Sequence, residues 1–170
     1  IIRYVIQLVL RLQQFKNSHH LGRETMDNDD INFPDVRTGT ANTPKYHELT
    51  EGDTKNWSPF YGYDYAHVFL FSMAYAFAHK LVPKAVSGEK NMPAKRFHAP
   101  ERNMMRALAV EHTDDLNVIK DSLEYVKICE EYANAGFQEV YGIIKKNNFE
   151  KTKREDILLN IINNAVNEQD

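Results

Sequence analysis

The sequence predicts a mainly α-helical fold, a small orthogonal bundle of four to five helices with a flexible N-terminal arm. Three observations carry that expectation. Residues 66–79 hold no formal charge and put apolar groups on every helical face, the profile of a helix at the centre of a domain. Apolar residues between Val126 and Ile144 recur at steps of three and four, the stripe of an amphipathic helix. No stretch alternates polar and apolar side chains long enough to demand a strand, and Phe97-His98-Ala99 with its neighbours is the only short candidate. With 170 residues, 42% of them hydrophobic, the chain has the size of one ordinary domain. The expected division is 1–25 as an amphipathic N-terminal segment, 26–58 as a flexible acidic arm and 59–167 as a single helical domain.

The elements follow in order. Residues 1–16, IIRYVIQLVLRLQQFK, are interrupted by Arg3, Gln7 and Arg11, so they fall short of the roughly 20 apolar residues a membrane span needs. Residues 1–25 either precede a natural start at Met26 or are the tail of a longer chain. From Met26 to about Pro59 the residues are largely Asp, Asn, Thr, Gly and Pro, a composition that predicts a mobile arm, pinned at its end by Trp57, Phe60 and Tyr61. Asp64 reads as the N-cap of the central helix and Pro83 as its end. Residues 84–99 read as an exposed basic loop. Pro100 and Glu101 open the next helix, which should stop near Thr113. Asp121 with Glu124 has the form of a capping box before a long helix carrying Val126, Cys129, Ala133, Phe137, Val140 and Ile144 on one face, with a bend or break at Gly136. Thr152 with Glu155 repeats that form before a last helix through Ile157, Leu158, Ile161, Ile162, Ala165 and Val166.

Charge is spread unevenly about a net −3. Arg3, Arg11, Lys16 and Arg23 oppose only Glu24 in the first 25 residues, and eight carboxylates oppose three cations over 26–65. From Lys80 to Arg106 seven cationic side chains oppose Glu89 and Glu101. The single cysteine, Cys129, has no partner for a disulfide and lies beside Glu130 and Glu131, so it is expected to be a buried, reduced, inert residue of a cytoplasmic protein.

Seven histidines raise the question of a metal, but His19 and His20 are adjacent, and His67 and His79 lie about 18 Å apart along one helix. No metal site and no cofactor are expected, and the chain has no glycine-rich phosphate loop, nucleophile elbow or CxxC pair. Arg106 and His112 resemble the arginine and histidine that helical nucleases of the HEPN type set four to six residues apart, with histidine as base on a 2′-hydroxyl and arginine on the phosphorane. Against that stands a solvated Arg106 and a His112 interacting with the helix dipole. The basic segment offers a phosphate-contacting patch, with Lys84, Lys90, Lys95, Arg96, Arg102 and Arg106 as DNA-binding candidates and Phe97 and His98 among them to stack on an unpaired base. The alternative is a solvated loop, or one paired with the chain's own acidic arm.

Three blocks resemble a known family: SPFYGYDYAHVFLFSMAYAFAHK, RALAVEHTDDLNVI and, most specifically, ICEEYANAGFQEVY, with Glu131-Tyr132-Ala133-Asn134 followed by Gly136. They are similar to small proteins associated with Dnd, the bacterial and archaeal DNA phosphorothioation system, over residues 56–165. The resemblance implies a role beside DNA modification or modification-dependent restriction, and it supplies no catalytic residues. The reading it leads to is a non-enzymatic accessory or adaptor whose partners are DNA and other proteins of the defence system, without a membrane and with homo-oligomerisation open. The alternatives are a HEPN-like RNase or toxin using Arg106 and His112, and a structural interaction domain whose Ile1 to Phe15 segment packs on another subunit through Ile2, Ile6, Val9 and Leu12. Ala133, Ala135 and Gly136 are small enough to permit close helix approach, so this block specifies fold at least as readily as binding.

Overall fold

A computed structural model describes residues 33–51, 58–146 and 156–161. The segment 1–25, Trp57 and the Thr152–Glu155 capping box lie outside them. Among the described residues the chain is mainly helical: α1 (Thr43–Thr50), α2 (Tyr65–Ala78), α3 (Ala99–Thr113) and α4 (Ser122–Lys146), with 3-10 turns at Ala94–Arg96 and Leu116–Lys120 and further helical residues at 156–161.

Helix α2 is the centre, packed chiefly against α4. Asp64 caps it by accepting the Ala66 amide at 3.0 Å, and ten of its fourteen residues are buried. Each fully buried Phe, Leu or Met contributes about 1.5–3 kcal/mol relative to exposure, so this helix is the main source of core stability. Its end differs from the expectation at Pro83. The helix stops at Ala78 because Lys80 takes a left-handed conformation, φ 52°. Lys80 then donates its amide to Phe77 O at 3.1 Å and Leu81 to Ala76 O at 2.9 Å. That is a Schellman cap with lysine where glycine is usual.

Helix α3 starts at Ala99 with Pro100 in its first turn and closes at Thr113, where Asp114, φ 53°, turns the chain. Asp121 Oδ1 accepts the amides of Leu123 and Glu124 at 3.0 and 3.2 Å and so starts α4. Val126, Cys129, Ala133, Phe137, Val140 and Ile144 all face the core. The helix is continuous through Gly136, correcting the expected break. A Cβ there would lie 2.0 Å from Ser72 O, so the glycine serves the α2–α4 approach. Cys129 is fully buried, its Sγ donating to Met105 O at 3.4 Å, and burial pushes the thiol pKa up. Ile157, Leu158 and Ile161 are buried as their pattern requires.

The described part of the expected arm is packed. Phe33, Val36, Tyr46 and Leu49 are core residues, and Tyr46 stacks on Phe137 with ring centroids 4.1 Å apart. Residues 33–51 thus carry few apolar groups, but nearly all of those are used.

Candidate nucleic-acid interface

The basic segment after α2 is held from both sides. Val36 pairs with Met92 as an isolated antiparallel bridge, its amide donating to Met92 O at 2.8 Å. Thr40 donates its amide to Ser87 O at 3.2 Å, and Asn91 Oδ1 accepts from the Thr38 amide at 3.0 Å. From the other side, Lys84 donates its amide to Glu131 O at 3.1 Å, and Asn134 Nδ2 donates to Ala85 O at 2.9 Å and Lys84 O at 3.2 Å. Asn134 Oδ1 in turn accepts from Asn42 Nδ2 at 2.8 Å, and Gln138 Nε2 donates to Asn42 Oδ1 at 2.5 Å. Spacing along the chain carries no sign of this network, because its members come from three separated stretches. Of them Glu131, Asn134 and Gln138 fall in a block that stands out in the sequence, and there for its small residues.

The six cations predicted to meet phosphate fall into two groups. Lys84, Lys90 and Lys95 are exposed on the clamped segment. The three arginines have protein partners. Arg96 Nη1 pairs with Asp64 Oδ2 beside the α2 cap. Arg102 is buried, donates from Nε to Phe97 O at 2.8 Å and from Nη2 to Ala94 O at 3.4 Å, and lies over the Phe33 ring, 4.5 Å from its centroid. It secures the 3-10 turn to α3 from inside and cannot reach a phosphate as the molecule stands. Arg106 donates to Asn103 Oδ1 at 2.9 Å and sits near the Tyr125 ring. Phe97 is buried against Phe33 and Phe69, so it is not a stacking platform, whereas His98 is exposed at the start of α3. Glu101 occupies the first turn of α3, where its carboxylate already meets the positive end of the helix dipole.

Beside the lysines opens a cleft of about 720 Å³ lined by residues that include Asp64, Tyr65, His67, Asn91, Met92 and Arg96. Burial holds the His67 imidazole below its ordinary pKa against the opposing pull of Asp64 and Glu101, so the ring is neutral at pH 7. Burial also raises the Tyr65 hydroxyl, and Glu51 adds to that shift.

Arg106 and His112 lean on different parts of α4. Arg106 lies by Tyr125, while His112 Nδ1 is 3.1 Å from the Tyr132 hydroxyl. The two tyrosines are seven residues apart, about 10 Å along the helix. Among the described residues no group of three or more His, Cys, Asp or Glu is gathered as for a metal ion, and no helix is long and apolar enough to cross a membrane.

No curated protein and no solved structure matches the chain. A family profile does, and it begins at Val36, inside the segment whose packing against Met92 holds the basic loop. The matched residues, 36–170, cover most of the sequence, and the chain belongs to the family described as DNA sulphur modification system-associated protein 4.

Proposed function

We propose that this chain is a non-enzymatic accessory or adaptor of its DNA sulphur modification system, and that it contacts DNA phosphates through Lys84, Lys90 and Lys95. The observation that carries the reading is their presentation. Three exposed ammonium groups stand on a segment whose backbone is fixed by the Val36–Met92 bridge and by Asn134. A pre-ordered cationic segment loses less entropy on binding a polyanion than a free loop does. The buried Arg102 holds the 3-10 turn that carries Lys95, and Arg96 beside it is paired with Asp64.

The test is binding of the purified chain to matched duplexes with and without phosphorothioate linkages, across a salt series. Lys84→Ala/Lys90→Ala/Lys95→Ala is expected to weaken binding and to lower the slope of log K against log salt by roughly 2 to 3, about one counterion for each phosphate that is no longer neutralised. An unchanged slope removes these lysines as the phosphate ligands. A preference for the sulphur duplex that survives the triple substitution would place sulphur recognition elsewhere, with Met92 and Arg96 in the adjoining cleft the first positions to change.

A further inference from the structure

Apart from Val82, the large hydrophobic side chains exposed among the described residues are Leu116, Ile119 and Leu123, at 71%, 40% and 63%. They fall within a short stretch at the corner where α3 passes into α4. Leu116 and Ile119 are three apart on a 3-10 turn, which has three residues per turn, so they share one side of it, while Val118 is buried and anchors the turn. Apolar surface concentrated in this way on a folded chain marks an interaction site more often than it marks chance.

The charge around it specifies what fits. Glu111, Asp114, Asp115, Asp121 and Glu124 are all exposed here, with Lys120 among them held on Asn117 Oδ1 at 2.8 Å. Asp115 and Asp121 serve as caps, accepting the Asn117 and Leu123 amides at 2.8 and 3.0 Å. Glu111 and Asp114 are placed differently. They stand at the C-terminal end of α3, where the helix dipole is negative and repels a carboxylate. Asp114 also adopts the left-handed conformation that favours glycine. Carboxylates set against a dipole beside bare leucines are what a cationic, apolar-faced partner would stabilise.

We propose that this corner is a docking surface for a cationic amphipathic helix of a partner protein, its apolar face on Leu116, Ile119 and Leu123 and its lysines or arginines among the carboxylates. The proposal rests on the adaptor reading above and gives it a second surface. The Lys95 end of the lysine segment precedes the first residue of α3 and the leucine corner follows the last, so they are separated by the length of a 15-residue helix, about 22 Å, while Lys84, bonded to Glu131 O, stands nine residues, about 13 Å, along α4 from its first residue. DNA and protein partner can therefore be held together.

The experiment uses the full chain and a synthetic 16-residue peptide with leucines on one helical face and lysines on the other. A second peptide of the same composition, with the leucine spacing scrambled, is the control. Binding is measured by titration calorimetry without DNA. The expected result is saturable one-to-one binding of the first peptide, weakened about tenfold or more in Leu116→Ser/Leu123→Ser and weakened with a flatter salt dependence in Glu111→Gln/Asp114→Asn. The substituted residues are exposed, and circular dichroism checks that the fold is kept. Equal affinity for both peptides, or for the parent and the leucine variant, overturns the proposal. So does a dimer of the parent that the leucine substitutions dissociate, since a second copy would then be the occupant. Because the readout is free of DNA, loss of phosphate binding by the lysine variant leaves this result standing, and failure here leaves the lysine face untouched.

Discussion

His67 stands near the start of α2, its ring edge-on to Tyr63 at 5.8 Å between centroids. Burial is the largest influence on it and holds its pKa below the ordinary value of 6.5; His98 pushes the same way, while Asp64, Glu101 and the Asp64 backbone pull it up. A histidine kept neutral in the native state is protonated first in the unfolded chain. Its contribution to stability is therefore complete above pH 6.5 and is lost as the pH falls through that value towards the lower native one. Glu130, whose carboxyl is raised by burial, works in the opposite sense, because its protonation on acidification favours the native state. Comparing variants separates the two: His67→Gln is expected to show a smaller fall in Tm between about pH 7.5 and 5.5 than the parent. An equal fall in both would assign the acid sensitivity to other groups. At the same scale Arg102 shows how charge in a sequence misleads. It has the look of a phosphate ligand in a basic run, yet two backbone carbonyls and the Phe33 ring claim it.

Among the elements, the pair α2 and α4 sets the tightest tolerance. Gly136 faces the backbone of α2, and an alanine Cβ would fall 2.0 Å from Ser72 O and 3.0 Å from the Ala76 Cβ. Since a carbonyl cannot swing aside as a side chain can, the helices must separate. Gly136→Ala is expected to cost about 2–3 kcal/mol, seen as a Tm lower by roughly 4–12 °C. Gly142, on the same helix, has nothing within 4 Å of an added Cβ, so Gly142→Ala is expected to raise stability by about 0.5–1 kcal/mol through helix propensity alone. Similar losses at both positions would show that the close approach is not what Gly136 provides. These helices were legible in the sequence because a core face repeats: Val126 through Ile144 and the uncharged run of α2 announce themselves by period. The packing of 33–51 was not, since Phe33, Val36, Tyr46 and Leu49 have no period and their partners lie far along the chain. The end of α2 escaped for a local reason, a lysine where the cap geometry calls for glycine. Of the candidate site, the charge run was legible and the division between presented lysines and engaged arginines was not, because periodicity carries no information about which carbonyl a guanidinium will meet.

For the whole molecule, the long-range polar contacts matter more than any one element. Asn42, Asn91, Asn134 and Gln138 join residues 36–43, the basic segment and α4 into one unit, and Glu130 extends it by accepting the Arg37 amide at 2.8 Å. Glu130 is almost fully buried and also pairs with Arg37 Nη1 at 3.5 Å, so this tie too is made in a protected place. The presentation of Lys84, Lys90 and Lys95 is thus a property of the assembled fold and not of the loop's own composition. Asn134→Ala tests that directly. It removes the donor to Lys84 O and Ala85 O, and it takes one acceptor from the buried Asn42 amide, which keeps Thr38 O at 3.1 Å. A destabilisation of about 1–3 kcal/mol is expected from the unsatisfied groups. Amide hydrogen exchange should quicken at Lys84 and Thr40, whose bonds to Glu131 O and Ser87 O depend on the same registration, while Leu70 and Phe71 within α2 keep their protection. If the lysines bind DNA because they are held in place, affinity for a duplex should fall by roughly two- to tenfold although no lysine has been altered. Faster exchange with unchanged affinity would mean that the lysines contact phosphate as independent charges; unchanged exchange would mean that the Val36–Met92 bridge and the remaining bonds of Thr38, Thr40 and Lys84 hold the segment without Asn134.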